Sequence, residues 1–212
     1  MQRRQFLKKA SLTIASLALG CSLFVLDTKK ALAQSPKSRP NVIVLLSDDQ
    51  GWGDLGFNGN PLLKTPNLDR LCALGVSFTD FHTAPLCTPT RSQLMSGQDA
   101  LRNGGFCYQF GHEMIRRDVP TLAEIFRANG YRTAMFGKWH LGENYPDRPE
   151  DRGFDEVLTF GGAHFAQTPD FWDNDYFDDV CRHNGKWEKT QGYCDDVWFE
   201  HTKKFAAESA RN

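Results

Sequence analysis

The chain shows no heptad pattern, no internal repeat, no low-complexity tract and no excess of either charge sign. Without heptads or repeats it is neither a coiled coil nor a stacked array. Its 25 Lys and Arg against 26 Asp and Glu leave a formal net charge of -1, so it lacks the basic footprint of a nucleic-acid binder. What remains is 212 residues, 40% hydrophobic and 24% charged, ordinary values for one soluble globular domain or part of a larger one.

The first 33 residues read as a targeting segment and stand outside fold reasoning. Arg3-Arg4-Gln5-Phe6-Leu7-Lys8 resembles a twin-arginine (Tat) export signal. An apolar stretch from Ala10 to Leu26 follows, then Ala31-Leu32-Ala33 as a small-residue cleavage site. As a membrane span the stretch is marginal in length and diluted by Ser11, Thr13, Ser16 and Gly20. Lipid attachment at Cys21 is disfavoured because apolar residues continue past it. Residues 34–40, including Ser35-Pro36-Lys37-Ser38-Arg39-Pro40, read as a linker. The expected location is therefore periplasmic or secreted, with the Tat machinery as a partner.

Export permits disulfides. Apart from Cys21 and Cys87, the cysteines are Cys72, Cys107, Cys181 and Cys194, whose pairing sequence alone does not choose. Cys181 and Cys194 are close enough in sequence to close a local loop or to stay as thiols. A zinc site with His183 is disfavoured because the spacing fits no common pattern. Cys72 shares a helical face with Leu68 and Leu71, which predicts a packing role.

Strands and helices alternate. Val42-Ile43-Val44-Leu45-Leu46 is a short apolar run rich in β-branched residues, which predicts a strand buried on both faces. A helix is expected from Thr65-Pro66 to Gly75, and a strand over 76–81. Thr121-Leu122-Ala123-Glu124 is a capping box opening a helix that Gly130 ends. Tyr131 to Phe136 reads as a strand, and Asp196 to Ala207 as a helix. The aromatic stretch from Gly161 to Trp198 is irregular, either a pocket rim or a packed surface excursion. The pattern predicts an α/β fold with a mostly parallel sheet flanked by helices. In such folds ligands gather where strands end.

The residues with chemistry cluster at those ends. Asp48 and Asp49 follow the first apolar run, and adjacent carboxylates suit a hard divalent cation. Cys87-Thr88-Pro89-Thr90-Arg91 places a cysteine just before a helix expected to start at Thr88–Pro89, with an arginine one turn in. Free N–H groups and the guanidinium there favour an oxyanion. Lys138 and His140 lie two apart, so in an extended segment both point the same way. Cations so aimed stabilise negative charge on a group in transfer. A thiolate is a poor partner for a hard cation. An oxygen group at position 87 would remove that mismatch.

Taken in order, Asn41 to Gly56, Thr65-Pro66-Asn67-Leu68-Asp69-Arg70-Leu71, Cys87 to Arg91 and Gly130 to Gly142 resemble the signatures of the sulfatase family, with its alkaline-phosphatase-like fold. Gly153-Phe154-Asp155-Glu156 and Gly161-Gly162-Ala163-His164 are weaker matches. The resemblance implies a sulfuric ester hydrolase acting on aryl or carbohydrate sulfates. Asp48 and Asp49 would ligate calcium, in preference to magnesium. Cys87 would become formylglycine through a formylglycine-generating enzyme, and serve as ligand and nucleophile. Arg91 would hold the diol, Lys138 would contact sulfate and diol, and His140 would assist deprotonation of the second hydroxyl. His164 carries no assigned role.

The family pattern also includes a later histidine, an Asp-Asn pair and a further lysine that do not occur here. The resemblance therefore covers residues 41–212 as an N-terminal portion of the catalytic domain, expected to be inactive and to fold poorly alone. Hydrolysis of phosphonate or phosphate esters is the near alternative, since relatives share the nucleophile motif. A non-catalytic remnant that binds calcium or a partner is another, and a thiol-dependent zinc protein a more distant one.

Overall fold

The computed structural model describes residues 39–108 and 113–210. The export signal, the lipid-attachment alternative at Cys21 and the linker before Arg39 lie outside the described residues. No described helix is long and apolar enough to cross a membrane. By its contacts the chain divides after Ser47.

The second unit holds helices α1 (Pro66–Leu74), α2 (Cys87–Ser96), α3 (Ala100–Asn103) and α4 (Leu122–Ala128), strands β1 (Ala134–Phe136), β2 (Glu156–Thr159), β3 (Val180–His183) and β4 (Lys186–Lys189), and helix α5 (Cys194–Ser209). The class is α/β, as expected. The four-stranded sheet has the order β1-β2-β3-β4 and is mixed: β1 and β2 are parallel, and the two later pairings are antiparallel. Helix α4 opens on the predicted capping box, with Thr121 Oγ1 accepting from the Glu124 N–H at 3.1 Å and the Glu124 carboxylate accepting from the Thr121 N–H at 2.6 Å. A two-residue turn joins β3 to β4, with Asn184 at φ 47° and Gly185 at φ 83°.

Two expected strands do not form. Residues 42–46 belong to no strand or bridge among the described residues, and their side chains are 41 to 66% exposed. Residues 76–81 also stay irregular, with Val76, Phe78 and Phe81 exposed. Apolar β-branched runs become strands only where a neighbour accepts their backbone hydrogen bonds. The same holds for the face of α1: Leu68 and Leu71 are exposed, and no residue of this helix is buried. Thr65 ties α1 to the preceding turn instead of capping it, accepting from the Gly56 N–H at 2.7 Å and donating to Asp69 at 2.7 Å.

The packed centre is Ile115, Val119, Trp139 and Leu141, with Met95, Met135 and Phe154 against it. Trp139 lies edge-on to Phe154 and donates its indole N–H to the Asp147 carbonyl at 3.0 Å. The aromatic stretch packs only in part: Phe160, Phe165 and Trp198 stack and Tyr176 leans on Phe165, while Trp172 and Phe177 stay exposed. Trp139→Ala is expected to cost about 3–5 kcal/mol, read as a lowered urea midpoint with unchanged slope. A change under about 1 kcal/mol would place Trp139 outside the load of the core.

Candidate active site

The site residues come from three places in the chain. Cys87 is the first residue of α2, whose cap position is Leu86, two residues earlier than the Thr-Pro pair suggested, so Cys87 lies in the helix and not before it. The helix is locked by its buried polar face: Ser92 Oγ donates to the Gly105 carbonyl at 2.7 Å, and Asn103 Nδ2 donates to Ser96 Oγ at 2.9 Å. That packing fixes Arg91, one turn beyond Cys87.

The second place is the segment after β1. Gly137 adopts φ 108° and donates its N–H to the Leu158 carbonyl at 2.9 Å. A Cβ there would lie 3.3 Å from the Trp198 ring, so a side chain would be both strained and crowded. Lys138 and His140 then flank buried Trp139. The third place is Asp48, the residue after Ser47.

These pieces meet. Arg91 donates to the Lys138 carbonyl at 2.7 Å and to Asp48 Oδ1 at 3.3 Å, and Lys138 Nζ donates to Asp48 Oδ2 at 2.7 Å. The Arg91 and Lys138 side chains are only 11% and 8% exposed, while that of Asp48 is 42% exposed. Two nearly buried cations thus share one carboxylate, a net positive locus. Burial pushes the Asp48 carboxyl up, but the hydrogen bond and charge of Lys138, together with Arg91, outweigh it and hold it below its ordinary range. Among the described residues, the Asp49 carboxylate (backbone φ 53°, exposed) and the half-buried Cys87 thiol form no hydrogen bond with this group.

His140 is reached differently from the expectation. Its backbone is left-handed, φ 57°, so the segment is not extended and the simple alternation with Lys138 fails. Three contacts hold the turn. The Glu143 carboxylate accepts from the His140 N–H, Thr88 Oγ1 reaches the His140 carbonyl at 3.5 Å, and the ring Nε2 sits 3.3 Å from the Tyr108 carbonyl. Since a carbonyl only accepts, Nε2 carries the proton, and the lone pair of the neutral ring falls on Nδ1. That Nδ1 and Arg91 Nε are both buried without a hydrogen-bond partner. Tyr108 also bonds His164 Nε2 at 2.8 Å, which links His164 to His140 through one aromatic ring. Sequence reasoning missed Tyr108 and Glu143. Burial lifts the Glu143 carboxyl to about 7 against the backbone donors of Gly162 and His140.

The family model "Sulfatase" matches residues 40–212. The chain belongs to the sulfatase family. It is 39% identical over 155 residues to N-acetylgalactosamine-6-sulfatase of Mus musculus, covering 68% of this chain and 30% of that enzyme. It is 40% identical over 150 residues to arylsulfatase G of Canis lupus familiaris, covering 69% of this chain and 28% of that one. The sulfatase chain thus spans about a third of the length of these relatives. Among solved structures it resembles Ps i-CgsB at a TM-score of 0.72 and 28% identity, over 82% of this chain and 42% of that one. It also resembles BT4656 in complex with D-glucosamine-2-N,6-O-disulfate, at 0.67 and 27%, over 80% and 31%.

The cysteines Cys72, Cys87, Cys107, Cys181 and Cys194 are thiols. Burial, reinforced by Asp195 and Asp179, pushes the Cys194 thiol up to about 12, and Cys181 rises further for the same first reason. Neither is a reactive thiolate.

Burial, then the Lys138 charge, depresses His140 from 6.5 to about 4. The unfolded ring therefore binds a proton that the folded ring refuses between those values. Stability from this group is full above about pH 6.5 and declines as pH falls toward 4, by on the order of 3 kcal/mol in all. A His140→Gln variant should show a flatter acid limb in urea titrations across that window, and an equal slope would show that His140 titrates normally.

Proposed function

We propose that this chain is the nucleophile-bearing N-terminal part of an exported sulfuric ester hydrolase, in which Cys87 is converted to formylglycine by a formylglycine-generating enzyme. The observation that carries the reading is the charge imbalance beside α2. Arg91 and Lys138 are nearly buried and have only the Asp48 carboxylate between them. A desolvated excess of positive charge favours an anionic group, and a sulfate ester supplies one.

The donor set fits a hard cation. Asp48 and Asp49 offer adjacent carboxylates with no soft ligand once position 87 carries oxygen, and they would provide part of the shell of about six to eight oxygens that calcium takes. When present, the cation and the hydrated aldehyde supply an acidified oxygen nucleophile, which a thiol does not. The chain's own residues do the rest. Arg91 Nε, a buried donor with no partner, points to a hydrogen bond with an oxyanion. Lys138 holds its charge within reach of Asp48 and would share it with the sulfate oxygens. Neutral His140 takes a proton at Nδ1 in the step that releases sulfate.

Sulfated carbohydrates are the favoured substrates. Two relatives point that way: an N-acetylgalactosamine-6-sulfatase, and the neighbour bound to a disulfated glucosamine. The exposed apolar side chains between residues 42 and 81 support the further reading that this chain does not turn over by itself.

The test begins with mass spectrometry of the peptide containing Cys87 from chain co-expressed with the generating enzyme. Loss of sulfur and two hydrogens with gain of one oxygen is expected. An unmodified thiol in the native host would favour a non-catalytic remnant. In any form of the protein that turns over, Lys138→Ala should lower kcat on sulfate esters by about 10²–10³-fold. Faster turnover of a matched aryl phosphonate than of the aryl sulfate would move the assignment to phosphonate or phosphate ester hydrolysis.

A further inference from the structure

Away from the candidate active site, three elements converge on a set of side chains that the sulfatase chemistry does not use. Glu156 begins β2, His183 ends β3, and His201 lies on the face of α5 that covers the sheet edge. One ligand atom from each falls within 4.8 Å of the others. His183 Nε2 is 3.8 Å from Glu156 Oε1, and the His183 and His201 rings meet edge-on with centroids 5.5 Å apart. The His183 Nε2 atom is buried and has no hydrogen-bond partner.

We propose that Glu156, His183 and His201 form a zinc site that joins the β3–β4 hairpin and helix α5 to β2. Two imidazoles and a carboxylate are a borderline-soft donor set suited to Zn²⁺. Ligand atoms around tetrahedral zinc stand about 3.3 Å apart, so a closure of up to about 1.5 Å by side-chain rotation completes the site. The supporting shell is already built. Glu188 Oε2 lies 3.1 Å from His183 Nδ1, so the carboxylate accepts from that nitrogen and turns the lone pair of Nε2 toward Glu156 and His201. Arg132 sits 3.9 Å from Glu156 Oε2, on the oxygen that does not face His183. Phe136 packs against the His201 ring at 5.9 Å and limits its rotation.

A fourth coordination position remains. His201 and Glu188 both border a groove of about 340 Å³, also lined by Lys189, Asp196 and Glu200, from which water or a ligand group can enter. The thiols Cys181 and Cys194 are not needed. The site uses His183, their near neighbour in sequence, with partners from β2 and α5.

The proposal does not depend on the sulfatase reading, and neither does its test. The purified 212-residue chain, taken from the fraction that shows a cooperative urea transition, is titrated with ZnCl₂ by calorimetry. One equivalent should bind at micromolar or tighter affinity. His201→Gln and Glu156→Gln should each weaken it by about 10- to 100-fold, and Glu188→Gln by about 10-fold. Zinc-edge absorption of the unaltered chain should show two imidazoles with oxygen and no sulfur. This arm needs no variant to fold. Absence of stoichiometric binding, a sulfur shell, or affinity lost in Cys181→Ser but kept in His201→Gln would overturn the proposal.

Discussion

Two buried cations sharing one carboxylate set the terms for the candidate active site. Arg91 and Lys138 arrive from different elements, and each has given up most of its hydration. Desolvated like charges repel, so the arrangement persists only because Asp48 bridges them and because Arg91 also donates to the Lys138 carbonyl. One negative charge does not cancel two positive ones. The locus therefore favours a further anion, and it does so before any substrate arrives, which is the sense in which an electrostatic site is preorganised. The bond to Lys138 holds Asp48 beside the cations, although the apolar run before it forms no strand.

The rigidity behind this locus is apolar. Trp139 is the residue between Lys138 and His140, and it is buried in the main cluster. Its indole N–H bond to Asp147 removes its freedom to rotate. The two polar neighbours are therefore held by the position of a side chain that does no chemistry. His140 departs from an extended path into a left-handed turn, a conformation that costs about 1–3 kcal/mol for a residue with a Cβ. Glu143 and Tyr108 offset that cost by bonding its backbone and ring. The strain lies on the residue whose lone pair is left open.

Several local signals were legible in the sequence where a few residues decide the structure. The Thr121–Glu124 capping box forms as read, and β1 lies within the expected 131–136 stretch. The motifs singled out Asp48, Arg91 and Lys138, which hydrogen bonds join in the structure, together with Asp49 and Cys87, which stay outside that group. Most of what sequence reading lost depended on partners outside the motif itself. Residues 42–46 have the composition of a buried strand but pair with none of the described strands. His140 could not be seen to turn, because the turn is held by Glu143 and Tyr108. One miss was local: Asn184-Gly185 between two β-prone runs is a strong hairpin signal, hidden inside a stretch dominated by aromatics and aspartates. That hairpin brings His183 to Glu156 and His201.

The aromatic stretch then acquires a mechanical role. Trp198 projects from α5 and stacks on Phe160 and Phe165, while its ring also backs Gly137. Gly137 is the hinge from which Lys138 leaves β1, and its carbonyl accepts from Thr159 Oγ1 on β2 at 2.7 Å. Helix α5 thus presses on the start of the Lys138–His140 segment from behind. The same helix carries His201, three residues beyond Trp198 and so on the neighbouring helical face. His201 and Trp198 thus share one helix, and the Trp198 ring packs against Gly137, where the segment carrying Lys138 leaves β1.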